Sequence, residues 1–169
     1  MMESGSTTLV AVVSDTPRVP PSELLEALAG VAHIVHAGGI ADLRGLDTLA
    51  RIAPVSAVTS HDDFVAWGDL IPESVELIVE GVRIFATNMI GSPPDFLPPV
   101  RARLANDPPD VVLFGHPPGA QVLWLGGTLL MNPGSARAAG SHRRPTYGLL
   151  EISSMGRVTG TVLELDPVP

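Results

Sequence analysis

Along the first sixty positions, short aliphatic and β-branched runs closed by small polar residues alternate with stretches of helical period. Residues 7–13 (TTLVAVV) are the first run, and Ser14-Asp15-Thr16-Pro17 closes it. A short apolar run bounded by turn residues reads as a buried strand. Pro20-Pro21-Ser22 opens a helix with Glu23 in its first turn, an apolar face of Leu24, Leu25 and Leu28, and Gly30 as its stop. Residues 33–36 form a second strand that runs into Ala37-Gly38-Gly39. A helix over 42–52 follows, capped by Asp42, with Leu43, Leu46, Leu49 and Ala50 at helical spacing. Residues 54–58 are a third strand, ahead of the polar loop Thr59-Ser60-His61-Asp62-Asp63. This β-α-β-α-β order predicts parallel strands joined by right-handed crossovers.

The pattern then changes. Strands 74–79 and 82–87 flank Glu80-Gly81, a hairpin signature. Residues 96–106 read as a helix with Pro98-Pro99 in its first turn. A strand over 110–114 ends in Gly115-His116-Pro117-Pro118-Gly119. Strands 121–125 and 128–131 make a second hairpin about Gly126-Gly127 and lead into Asn132-Pro133-Gly134-Ser135. Residues 146–152 and 158–165 close the chain as a strand pair. The expectation is one α/β domain over 1–169, about ten strands in two packed sheets, with tails at 1–6 and 166–169.

Composition narrows the function classes. Hydrophobic residues make up 45% and charged residues 17%, which excludes a disordered body and implies a large interior or an apolar patch covered in a homo-oligomer. The net charge is −8, and Arg143-Arg144 is the sole adjacent basic pair, so nucleic acid is not an expected partner. With no cysteine, disulfides and thiolate metal sites are excluded. The first eight residues lack the blocks of a signal peptide, and no apolar stretch is long enough to span a bilayer; the expectation is a cytoplasmic protein without membrane contact.

In open α/β sheets, ligands bind beyond the carboxyl ends of the strands. Asp15 stands at such an end, as do His36, the loop 60–63, Asn88, His116 and Asn132. Imidazole is the commonest metal ligand, so three histidines at strand ends make a metal site the leading chemical idea.

The succession Ser14-Asp15-Thr16, His36-Ala37-Gly38-Gly39-Ile40, 54–58, Gly115-His116 and Asn132-Pro133-Gly134-Ser135 resembles the calcineurin-like metallophosphoesterases. More narrowly it is similar to the small bacterial phosphodiesterases of the YfcE type, relatives of Vps29, from about Leu9 to Leu165. The resemblance implies a four-layer α-β-β-α sandwich. It also implies two metal ions held by Asp-x-His, a bridging Asp, an Asn, an isolated His and Gly-His-x-His. Two such ions clamp a phosphate and activate a water. Against that pattern Asp15 and His116 are kept, while Pro17, Gly39, Asn88 and Pro118 stand at other ligand positions. In the Gly-Asn-x-Asp stretch His61 falls at the Asn and Asp63 is retained; shifted by one residue, His61 matches a general-acid His instead.

Without a bridging carboxylate two cations would repel one another severely. The remnant set is Asp15, His61, Asn88 and His116, expected to hold no cofactor or a single Mn, Zn or Fe ion. The resemblance therefore implies a non-catalytic binding or scaffold relative with an unknown protein partner. The alternative is a phosphoesterase acting on a phosphorylated small molecule through a mononuclear site, with His61 and His116 as acid and base. In the non-catalytic case Asp15 is expected to accept hydrogen bonds from loop amides.

Overall fold

Strand β1 (Thr7–Val13) ends in four consecutive buried residues, as befits a strand covered on both faces. Its alternate side chains serve two different cores. Val10 and Val12 join Val35, Ile84, Val111, Leu113, Leu129 and Met131 between two sheets, while Ala11 and Val13 pack under Leu24, Leu28 and Leu49. The computed structural model that shows this describes residues 5–138 and 144–166.

The elements of the first half are α1 (Ser22–Ala27), β2 (His33–His36), α2 (Leu43–Ala50), β3 (Val55–Ala57) and α3 (His61–Trp67). Next come β4 (Ser74–Val79), β5 (Val82–Thr87), the two-residue strands β6 (Gly91–Ser92) and β7 (Asp95–Phe96), and α4 (Pro98–Asn106). The chain closes with β8 (Val111–Leu113), β9 (Gln121–Leu125), β10 (Thr128–Asn132), β11 (Thr146–Ser153) and β12 (Val158–Glu164). One five-stranded sheet runs β12-β11-β1-β2-β3 and the other β4-β5-β8-β10-β9. As predicted, β1, β2 and β3 are parallel neighbours, and each predicted hairpin pairs antiparallel.

Helices α1 and α2 cover the outer face of the first sheet. On the outer face of the second, Val100 of α4 packs with Phe96, Val112, Phe114 and Leu130. The layers are thus helix, sheet, sheet, helix, the sandwich that the sequence led us to expect. Among the described residues no helix is long and apolar enough to cross a membrane.

Two local expectations are corrected. The helix expected over 96–106 begins at Pro98, because Asp95 and Phe96 pair with Gly91 and Ser92 as a small ribbon. The polar loop expected at 59–63 is the start of α3. Ser60 Oγ accepts from the Asp63 N–H (3.2 Å) and the Asp63 carboxylate accepts from the Ser60 N–H (2.9 Å), a capping box that initiates a helix where polarity alone suggested a loop. Of the expected tails, Ser6 accepts from the Ser154 N–H at 3.0 Å; residues 1–4 and 167–169, and Arg143 of the basic pair, lie outside the described residues.

Candidate functional site

The carboxyl ends of β1, β2, β5, β8 and β10 meet on one side of the sandwich, where the two sheets come within hydrogen-bonding distance. Asn88, after β5, donates from Nδ2 to the Ala37 carbonyl after β2 (2.7 Å), and its own carbonyl accepts from the Gly115 and His116 N–H groups (3.0 and 2.9 Å). Ser14 donates from Oγ to the Gly134 carbonyl at 2.6 Å. The Asn88–Ala37 and Ser14–Gly134 bonds cross between the sheets and leave no room for side chains there: a Cβ on Gly115 would strike the Ala37 carbonyl, and one on Gly38 the Asn88 amide.

Two of the polar residues singled out from sequence are built into this scaffold. His36 is fully buried; its Nδ1 accepts from the Gly38 N–H (3.3 Å), which leaves Nε2 to donate to Thr16 Oγ1 (2.9 Å). Burial pushes its pKa down to about 4 against an opposing pull from Asp63, so it is a neutral structural imidazole at pH 7. Asp63, also buried, accepts from the N–H groups of Gly39 (2.7 Å), Ile40 (2.8 Å) and Ser60 (2.9 Å). The resemblance marked Asp63 as retained, and the structure shows what it does: it ties the loop after β2 to the first turn of α3.

Asp15 is held differently. It sits at φ 51°, in the left-handed region where L residues are uncommon, with its N–H donating to the Gly38 carbonyl (3.0 Å). Among the described residues its carboxylate accepts no hydrogen bond, which corrects the expectation that it would take loop amides; the N–H groups of Gly39 and Ile40 in the neighbouring loop go to Asp63 instead. Burial raises its pKa, Arg137 and His116 oppose that rise, and Asp63 adds to it.

Asp15, Asn88 and His116 line one cleft of about 360 Å³, together with Asp62, Trp67 and Arg137. His61, exposed on the first turn of α3, opens onto a neighbouring, more apolar cleft with Phe64, Phe85, Met89 and Leu97. Asn88 alone of the remnant set borders both. The structure therefore brings together Asp15, Asn88 and His116 and sets His61 to one side. Pro118 borders a third cleft on the far side of Asp15.

Arg137 is the residue that sequence reasoning passed over. It follows the Asn132-Pro133-Gly134-Ser135 turn, donates to the Thr16 carbonyl (3.4 Å) and faces Asp15. One signal was available: Arg137 is the first charged residue after His116.

A dinuclear centre does not fit these residues. Gly39, at the bridging position, has φ 78°, and a Cβ there would collide with the Asp15 carboxylate and backbone. Arg137 lines the same cleft as Asp15 and lowers its pKa through its charge. Among the described residues, no three His, Asp or Glu side chains are arranged to hold a metal ion.

A model of the calcineurin-like phosphoesterase superfamily domain matches residues 9–155. Among solved structures, a Thermotoga maritima protein determined by solution NMR is 25% identical, with 94% of this chain and 99% of that one covered at a TM-score of 0.69. Entamoeba histolytica Vps29 in complex with zinc is 19% identical (94% and 100% covered, TM-score 0.66). Chaetomium thermophilum Vps29 in complex with a cyclic peptide is 15% identical (96% and 99% covered, TM-score 0.65). No curated protein sequence matches the chain.

Proposed function

The chain belongs to the calcineurin-like phosphoesterase superfamily, and we propose that it is a non-catalytic member which binds a protein partner through the sandwich it has kept. The observation that carries this reading is at Gly39. The place of a metal-bridging carboxylate is closed by Asp15 itself, and the nearest other carboxylate, Asp63, is committed to three backbone N–H groups. Phosphoryl transfer in a two-metal site rests on the electrostatic clamp of the ions. In its place the cleft offers the Arg137 guanidinium and the His116 imidazole, groups suited to holding an anionic part of a ligand. That a Vps29 of the same fold takes a cyclic peptide supports a protein or peptide ligand.

A second reading keeps a reaction: hydrolysis of a phosphorylated small molecule with a single Mn, Zn or Fe ion. What favours it is the grouping of Asp15, Asn88 and His116 in one cleft. Dialysis against manganese, followed by elemental analysis and an assay with bis-p-nitrophenyl phosphate, separates the two. We expect no stoichiometric metal and no turnover above buffer. Stoichiometric metal with turnover that His116→Ala abolishes would overturn the non-catalytic reading.

A further inference from the structure

We infer that strand β9, the free edge of the second sheet, pairs antiparallel with β9 of a second copy of the chain, making one continuous sheet across a two-fold axis. On its inner side β9 forms an unbroken ladder with β10 from Gln121↔Asn132 to Leu125↔Thr128. On its outer side, among the described residues, no strand follows it and no further backbone hydrogen bond reaches it. Such an edge offers a row of N–H and C=O groups spaced for another strand, and soluble proteins guard it with charge, proline or a bulge. The strand Gln-Val-Leu-Trp-Leu has none of these, and the whole stretch between His116 and Arg137 contains no charged residue. The opposite edge of the same sheet is guarded: Glu76 on β4 is ion-paired with Arg103 at 2.6 Å.

The side chains of β9 also select the occupant. Val122 and Trp124 pair with Met131 and Leu129 of the inter-sheet core, and although β12 of the other sheet lies near β9 they remain 40% and 57% exposed. A two-fold axis at the central Leu123 sets Val122 opposite Trp124 of the second copy, twice, and an aromatic facing a β-branched residue is a favourable cross-strand pair. A chain of net charge −8 repels its own copy over most of its surface. The charge-free stretch is where two copies meet at least electrostatic cost, and it offers a charged foreign peptide no counter-charge.

The absence of cysteine makes the axis directly testable. Residue 123 would face itself at a Cα separation of about 4.5–5.5 Å, within disulfide reach. Light scattering on the full chain should give twice the 17.6 kDa chain mass. The double variant Val122→Lys, Trp124→Lys should return the mass to one chain with an unchanged circular-dichroism spectrum. Leu123→Cys should oxidise to a covalent dimer, whereas Ile78→Cys on the guarded edge should not. A single-chain mass at every concentration overturns the proposal, even where the edge takes an extended peptide from another protein. So does a dimer that survives the lysines, or one that cross-links equally well at 78. If the lysine variant fails to fold, the cysteine pair decides.

Discussion

Asp15 and Asp63 border the same cleft, and they are held in opposite ways. Asp63 is buried and saturated by three backbone N–H groups that join two loops. Asp15 has no hydrogen bond to its carboxylate among the described residues and faces Arg137 and His116 across open space. A buried carboxylate without partners is costly, whereas one that gathers several N–H groups becomes a structural clamp. The difference separates residues that hold the site's shape from those left free to meet a ligand. Retention of an acidic residue in a family motif does not by itself say which of the two it is.

The sharpest way to break this contrast is to remove each carboxylate in turn. Asp63→Ala orphans three N–H groups and uncaps α3, and should lower stability by about 3–5 kcal/mol in urea unfolding. Asp15→Asn, which removes the charge and keeps the side chain's tolerance of the left-handed backbone, should change it by no more than about 0.5 kcal/mol. Equal effects would end the distinction.

A second test uses pH. His36 titrates near 6.5 when unfolded and about 4 when folded, so below 6.5 the unfolded state binds more protons. Stability is full above that value and falls as pH drops toward 4, by about 3 kcal/mol for this group. Unfolding midpoints between pH 7 and 4 should show the slope, and His36→Gln should flatten it.

Gly39→Asp, which restores a carboxylate at the bridging position, should cost at least about 1–3 kcal/mol for the left-handed backbone alone and gain no manganese-dependent turnover. Turnover in that variant would show that the Asp15 loop yields. The smallest effect is expected at Arg137. Arg137→Ala should leave stability unchanged and raise the Asp15 pKa further, since the guanidinium is the main group opposing the effect of burial; carboxyl NMR titration reads this directly.

The strands were legible in the sequence because each is a short apolar run ended by turn residues, and residues 7–13, 33–36, 74–79, 82–87 and 121–125 emerge with the predicted bounds. The layer arrangement followed from the same alternation, as Val10 and Val12 part from Ala11 and Val13. What was not legible depended on backbone partners. A polar cluster such as Thr59-Ser60-His61-Asp62-Asp63 has a loop's composition and a helix's capping box, and only the Ser60–Asp63 bonds decide between them. Asp63 and Asp15 are identical letters at similar strand ends, and their roles diverge because Gly39 and Ile40 point their N–H groups at one and not the other. Arg137 comes to line the same cleft as Asp15 from 122 positions away in sequence, which no local pattern encodes.

The crowding of Gly39 against Asp15 also acts as a ratchet. A single change at position 39 cannot reinstate a bridging acid while Asp15 keeps its left-handed backbone, and moving Asp15 alone leaves nothing to bridge. The two positions must change together, and neither step is favourable without the other. A carboxylate at position 39 is therefore separated from the present backbone by a valley in stability that a change at either position alone does not cross.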